Sequence, residues 1–496
     1  MTVFDCETDK KGNLLLVGVM TDGKYFYFKT AQGFWNYIMR NKITQLFAHN
    51  IEFDFFKIQE YIPGIKFTGY YSTAGLSYIQ AGNIFIKDTM NHLPYSLKFL
   101  GDVIGKPKYK IDYNTLRFNK KLIRYNKRDC EITYEIVKTL EQVYIAEGSK
   151  RIKSTTGSQS MNIYLRRFFC QNFYGIPFNV LSIWRHGYKG GLVEVYKQGK
   201  YKNKTFYKID INSLYPFLMR TCLPYPYDYR RSKKLNKKDR NKYYWLGVVL
   251  NRDKTVKEVY NSIEHRNKKC TYYFVFKRKC YPFRKYVDYF YNKRKQSTGL
   301  IKEIYKKLLN SLYGKFGQRF ELDIISNYQQ KNKNWYYMEQ IKGDLYRIKY
   351  VRTKGKFWVN VVWSLFITAK AREYMRRLKK YCERFKIVIY YLDTDCFICS
   401  GDINKISNLI DNKKLGLFKL EGKARVIDIR GKKFYMFGSK YKCKGVPLEL
   451  RKKFFDKGEI KYNKMVRYKE GITRGLRIGS FVEVTKRNIK NLPSNN

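Results

Sequence analysis

Five residues late in the chain, Tyr391-Leu392-Asp393-Thr394-Asp395, constrain its fold more than any other stretch. They follow the β-rich run Ile387-Val388-Ile389-Tyr390 and precede Phe397-Ile398, which places them at a tight turn between two paired strands. A hairpin tip ordinarily takes Asn-Gly or Asp-Gly, because the turn needs φ > 0 at little cost. Here the tip carries two carboxylates one residue apart, which repel each other unless a cation lies between them. Hard divalent cations held by carboxylates and substrate phosphates answer that need.

Composition narrows the field. The chain has 496 residues, 101 Lys+Arg against 41 Asp+Glu, and a formal charge of +60 spread from end to end. An apolar fraction of 44%, with 18% aromatic residues, excludes a disordered chain and leaves room for several domains. A charge of that size repels itself unless a polyanion neutralises it, and nucleic acid is the obvious one. Tyr and Phe interleaved with Lys suit base stacking beside phosphate contacts. The cysteines are scattered singly apart from Cys396-Phe-Ile-Cys399, whose two thiols would face opposite sides of a strand, so buried thiols in a reducing cytosol are expected. Four histidines leave little room for a His-based metal site. The N-terminal residues lack a secretory pattern, and the longest apolar stretch, Phe357 to Ala369, is interrupted by Asn360 and too short to span a bilayer. The expectation is a cytoplasmic protein without a membrane partner.

A second acidic strand lies upstream. Alternation in Phe206-Tyr207-Lys208-Ile209-Asp210 predicts a strand, and Ser213-Leu214-Tyr215-Pro216 then turns into the short helix Phe217-Leu218-Met219. Asp210 at that strand end, with Asp393 and Asp395, makes three carboxylates from two neighbouring strands. Such a cluster can clamp two metal ions, one activating a 3′-hydroxyl and one holding a triphosphate. Between these segments, Ile301, Ile304, Tyr305, Leu308, Leu312 and Phe316 form a core stripe at helical spacing. Lys302, Lys306, Asn310, Tyr313 and Gly317 fall on a second face, where lysine can meet triphosphate oxygens and Tyr313-Gly314 leaves a flat surface for a base pair.

The first third holds another acidic set. Asp5 and Glu7 alternate and so share one face of a strand. Asp54 follows in Asn50-Ile-Glu-Phe53-Asp54, and Asp129 lies one helical turn after Tyr125. Four carboxylates and a tyrosine are what two-metal phosphodiester hydrolysis needs.

Taken in order, these segments resemble known motifs. Asp210-x-x-Ser-Leu-Tyr-Pro, Lys306-x-x-x-Asn310-Ser-x-Tyr313-Gly314 and Tyr391-x-Asp393-Thr-Asp395 are similar to motifs A, B and C of family B DNA polymerases. Tyr188-Lys189-Gly190-Gly191 resembles the YxGG motif that links the two activities of that family, and Lys433-Phe434-Tyr435 resembles its KxY motif. The acids of the first third resemble the Exo I, Exo II and Exo III motifs of DEDDy 3′–5′ exonucleases. The likeness runs from about residue 2 to residue 445.

The resemblance implies roles. Asp210 and Asp395 are the main metal ligands of the polymerase site, Asp393 supports them, and Ile211 offers its carbonyl. Tyr215 sits under the sugar and excludes a 2′-hydroxyl. Lys306 and Lys302 meet phosphates, Asn310, Tyr313 and Gly314 adjoin the nascent pair, and Lys433 and Tyr435 hold the primer end. In the nuclease, Asp5, Glu7, Asp54 and Asp129 bind two metals and Tyr125 orients the attacking water. Thr8, Asn50 and Phe53 hold the frayed strand with His49 nearby, and Thr89, Tyr95 and Lys108 are looser matches to further strand and phosphate contacts. Cys396 departs from the family, which usually has Ser after the acidic turn. The implied cofactors are two divalent ions per active site, Mg²⁺ with Mn²⁺ as an alternative.

A compact chain with this wording resembles the protein-primed branch found in bacteriophages and linear plasmids. That branch implies a monomer acting on template-primer DNA and deoxynucleoside triphosphates, a terminal protein primer, strand displacement, and a single-stranded DNA-binding protein as helper. The expected fold class is α/β and α+β multidomain, an RNase H-like 3′–5′ exonuclease domain followed by a right-hand polymerase. The expected domains are the exonuclease at 1–148, a first palm part at 149–283 with a terminal-protein insertion at 228–283, and fingers at 284–318. A β-rich processivity insertion at 319–360, a second palm part at 361–449 and a thumb at 450–496 complete them. The 228–283 insertion is basic, short for the branch and poor in periodic elements. A primer-dependent or self-priming polymerase, and a nuclease with a vestigial polymerase half, are the alternatives.

Overall fold

The computed structural model describes residues 1–9, 11–72, 75–112, 116–169, 175–319, 321–328, 335–342, 345–351, 360–467, 474–476 and 480–487. Its N-terminal unit grows from the strand Thr2–Thr8, in which Val3, Phe4 and Cys6 are buried. That strand pairs antiparallel with Leu14–Thr21 and parallel with Gln45–Ala48, which pairs parallel with Ile84–Asp88. The helix Lys120–Ala146 starts where the Asn119 side chain accepts a hydrogen bond from the Leu122 amide. Leu122, Ile132, Ile136 and Leu140 are buried along it, each burial worth about 1.5–3 kcal/mol.

The same sheet recruits strands from far along the chain. Glu321–Ser326 pairs antiparallel with Thr68–Ser72, and Leu345–Val351 and Trp335–Lys342 extend the sheet to ten strands. Asn327 ties the join: its Oδ1 accepts from the Phe67 amide at 2.7 Å and its Nδ2 donates to the Ile65 carbonyl at 2.7 Å. The segment after residue 319 therefore continues the N-terminal sheet instead of standing apart from it.

The second sheet has five strands in the order Phe418–Ala424, Phe206–Ile211, Cys396–Ser400, Val388–Asp393 and Val193–Val195. Both of its faces are covered. Ile209, Leu392, Phe397 and Cys399 join the main core beneath the helix Val361–Arg384, while Phe206, Tyr391 and Ile398 meet Ile427, Ile429 and Tyr435 on the other side. The nine described cysteines are free, and Cys396 and Cys399 do face opposite ways.

Two helices, Arg284–Gln296 and Gly299–Phe316, pack on each other and against Thr156–Arg167. The core stripe differs from the sequence reading at its start. Ile301 is 41% exposed, and Leu300 is buried in its place, because the i, i+4 series 300, 304, 308 and 312 faces the core. The basic segment 228–283, which looked poor in periodic elements, folds into a four-stranded antiparallel sheet of Tyr229–Ser232, Tyr272–Phe276, Tyr244–Leu250 and Val256–Asn261. Lysines between its strands conceal the pattern, while Trp245, Val248, Tyr273 and Val275 are buried. A short helix, Arg451–Lys457, and the hairpin of Glu459–Met465 with Phe481–Arg487 end the described chain, and Pro493 and its neighbours lie outside the described residues. No described helix is long and apolar enough to cross a membrane.

Candidate active sites

Strand pairing assembles the first acidic site. Phe206–Ile211 lies between Cys396–Ser400 and Phe418–Ala424, with Asp210 opposite Cys396 on one side and Lys419 on the other. The hairpin tip is pinned by backbone bonds: the Ile211 amide donates to the Asp395 carbonyl at 2.8 Å, and the Thr394 amide to the Leu192 carbonyl at 2.7 Å. Thr394 takes φ 65°, the positive value that the tip demands. Burial, then the charges of Asp395 and Glu421, push the Asp210 carboxyl up to about 7. Burial and the nearby Asp393 and Glu421 push Asp395 up to about 6.

Asp393 is itself paired with a lysine. Lys433 Nζ donates to both of its oxygens, at 2.7 and 3.0 Å, so Asp393 reaches the site through Lys433. Tyr435 is buried behind the hairpin, with its ring 5.0 Å from that of Tyr391. Glu421, which sequence reasoning missed, brings a carboxylate within 4.8 Å of Asp210 and Cys396 ligand atoms. Lys208 at 2.8 Å and Lys419 at 3.0 Å hold it there, and Lys419 also lies 3.7 Å from Asp210. Only the register between two strands over two hundred residues apart reveals Glu421.

Around these acids, Tyr215 stacks on Tyr313 with ring centroids 4.6 Å apart and planes at 18°. Gly191 is forced by close approach: a Cβ there would lie 2.9 Å from Thr394 and 3.1 Å from the Tyr215 hydroxyl. Arg372, also missed, donates to the Lys189 and Gly190 carbonyls at 2.8 and 2.7 Å while its other nitrogens bind Glu264. Tyr188 packs beside Gly317, so both ends of the 188–191 loop are fixed. Asn310 Nδ2 donates to the Lys306 carbonyl at 2.8 Å, Lys306 pairs with Glu303, Lys302 is exposed, and a Cβ at Gly314 would meet open space.

The second acidic site lies on the N-terminal strand. Asp5, Glu7 and Asp129 have ligand atoms within 4.8 Å of one another. Asp54 sits in the first turn of the helix Ile51–Tyr61, entered through Asn50 at φ 95°, and its Oδ1 accepts from the Cys6 amide at 3.1 Å. Burial and then Asp129 push Asp5 up to about 7, and burial with Asp5 raises Glu7 and Asp54 well above the carboxylate range. Lys108 pairs with Asp129 and lies 4.7 Å over the ring of buried Tyr125. Asn126, absent from the sequence reading, donates to the Asp5 carboxylate at 2.8 Å and accepts from the Tyr25 hydroxyl at 2.9 Å. Its signal was a polar residue beside Tyr125 on a helix face that buries everything near it. Thr8 and Phe53 are half-buried at the rim. His49 lies beside this site, with Thr89 Oγ1 at 2.8 Å and the Tyr95 carbonyl at 2.9 Å on its two ring nitrogens.

Both donor sets suit a hard divalent cation. Among the described residues, Asp129 Oδ1 at the N-terminal site is buried without a hydrogen-bond partner, and four acids crowd one lysine. In the palm-like site Asp210 and Asp395 repel each other, and Lys419 and Lys208 relieve that charge only in part.

These sites and this topology define a class. Residues 104–273 and 245–387, more than half of the chain, match the family described as DNA polymerase type B, organellar and viral, and the chain belongs to that family. A probable DNA polymerase of Podospora anserina is 28% identical over 370 residues, or 62% of this chain and 30% of that relative's length. The DNA-directed DNA polymerase of Enterobacteria phage PRD1 is 26% identical over 433 residues, 79% of this chain and 72% of the relative. Phi29 DNA polymerase complexed with primer-template DNA superposes with a TM-score of 0.75 at 20% identity, covering 98% of this chain and 100% of that one. The fold is therefore an RNase H-like α/β unit followed by a right-hand polymerase.

Proposed function

We propose that the chain is a DNA-directed DNA polymerase with a 3′–5′ proofreading exonuclease. The observation that carries this reading is the pair of acidic clusters, each gathered from separate elements and each driven toward binding protons or cations. When bound, divalent ions would supply Lewis-acid polarisation and neutralise phosphate charge at both sites. Asp210, Asp395 and the Ile211 carbonyl would hold them in the palm, and Asp5, Glu7, Asp54 and Asp129 in the nuclease.

The chain's own groups do the rest. Lys306 and Lys302 attract the triphosphate. Tyr313 and Gly314 present a flat surface to the nascent base pair, with Asn310 bracing the helix beneath. Tyr215, stacked on Tyr313, closes the space a 2′-hydroxyl would need. Lys433, positioned by Asp393, faces the primer end, and the Tyr188–Gly191 loop borders it. In the nuclease Tyr125 orients water, while Thr8, Asn50, Phe53 and Lys108 line the strand's approach. The partners are template-primer DNA and deoxynucleoside triphosphates, in a host cytoplasm. A terminal protein docking on the 228–283 sheet would provide the first hydroxyl, with a single-stranded DNA-binding protein covering displaced strand.

The test uses a labelled primer on a longer template with Mg²⁺, with and without deoxynucleotides. The expected result is extension with nucleotides and 3′ shortening without them, the first lost in Asp395→Asn and the second in Asp54→Ala. Shortening with no extension would leave a nuclease only. Labelled deoxynucleotide joined to a protein in a reaction lacking a DNA primer would support protein priming.

A further inference from the structure

The triphosphate-facing lysine of the long helix already has an anion. Lys306 Nζ lies 3.2 and 3.4 Å from the two oxygens of Glu303, one turn earlier. Glu303 is held in turn from the nuclease unit, where the Tyr95 hydroxyl donates to its Oε2 at 2.5 Å across 208 residues of sequence. Lys307 Nζ sits 4.6 Å over the Tyr95 ring, so the contact has a second leg. Tyr95 is itself fixed, because its carbonyl binds His49 and its ring lies 5.0 Å from Phe99. Burial raises the Glu303 carboxyl, but the Tyr95 hydroxyl and Lys306 outweigh it, so Glu303 is ionised at neutral pH.

We propose that Glu303, anchored by Tyr95, is an internal competitor for Lys306 that an incoming nucleoside triphosphate must displace. Glu303 and Tyr95 are positioning residues, and the inference rests on the polymerase reading of Lys306. A carboxylate three ångströms from an ammonium cancels most of the field that a phosphate would feel. Binding of the triphosphate therefore includes breaking the Lys306–Glu303 pair, which raises KM without entering the chemical step. The Tyr95 bond also links that event to the nuclease unit, since any shift of the Gly299–Phe316 helix must stretch it.

The test is steady-state extension of a primer with one deoxynucleotide varied. Glu303→Gln keeps the side chain's shape and removes its charge, and should lower KM by about two- to five-fold, the range of a half-exposed ion pair, with kcat little changed. Tyr95→Phe should move KM the same way by less, and should add nothing to Glu303→Gln in the double variant. An unchanged or raised KM in Glu303→Gln would overturn the proposal. If that variant does not fold, Tyr95→Phe decides alone, an unchanged KM counting against it. Absence of extension by the unaltered protein would instead defeat the polymerase reading.

Discussion

The two acidic sites share a chemistry and differ in their counter-charges. In the N-terminal unit Asp5, Glu7, Asp54 and Asp129 face a single lysine among the described residues, Lys108, and Asp129 is only 3% exposed. In the palm Asp210, Asp393, Asp395 and Glu421 share Lys208, Lys419 and Lys433, and Asp210 is 19% exposed. Burial is what separates them. Water and lysines screen the palm acids, whereas the buried set has little besides protons or metal to relieve its repulsion. The palm should therefore keep its shape without metal, and the N-terminal site should depend on it.

The sharpest way to break this comparison is to remove one acid from one site. Asp210→Asn should cut primer extension by at least about a thousand-fold, three steps of ~1.4 kcal/mol each, while leaving 3′ shortening intact. Loss of both activities would mean that the sites are not independent. Asn126→Ala should slow 3′ shortening by about 10–100-fold, the usual effect of removing a group that orients a metal-binding carboxylate, with extension unaffected. Lys419→Met should reduce the Mg²⁺ concentration needed for half-maximal extension by about two- to five-fold, since a competing cation is removed from beside Asp210 and Glu421. The same measurement on 3′ shortening should show no change.

The smallest effect concerns stability in a chelator. Asp54 has a folded value well above the ordinary 3.8, because it is buried beside Asp5. An acid raised in the fold holds its proton there while the unfolded chain releases it. Its contribution to stability is thus present below the ordinary value and lost as pH rises toward the folded one. Asp54→Asn, which keeps the oxygen that accepts from Cys6, should melt higher than the parent at neutral pH by about 2–4 °C. That advantage should shrink as pH falls, and added Mg²⁺ should reverse it by stabilising the parent alone. Calorimetry at two pH values would check the sign.

Much of this was legible because the motifs are local. Asp5 and Glu7 share a face by strand alternation, Tyr125 and Asp129 by one helical turn, and Asp393-Thr394-Asp395 by a hairpin. Residues that act across long separations were not legible. Glu421 reaches Asp210 through strand register, Arg372 reaches Gly190 from the helix Val361–Arg384, and Tyr95 reaches Glu303 across 208 residues of sequence. Exposure was also hidden: nothing local shows that Tyr435 is buried or that both ring nitrogens of His49 are hydrogen-bonded inside the fold.

Sequence alone determined which acids this protein owns, how they alternate along strands and helices, and that so basic a chain answers to a polyanion. Local spacing is enough for that, because periodicity sets which side chains share a face. Tertiary structure decided which acids meet, which lysines quench them, and that strands after residue 319 complete a sheet begun at residue 2. Those outcomes depend on register and burial between segments hundreds of residues apart, where Coulomb energy and desolvation are set by distances that no local pattern encodes.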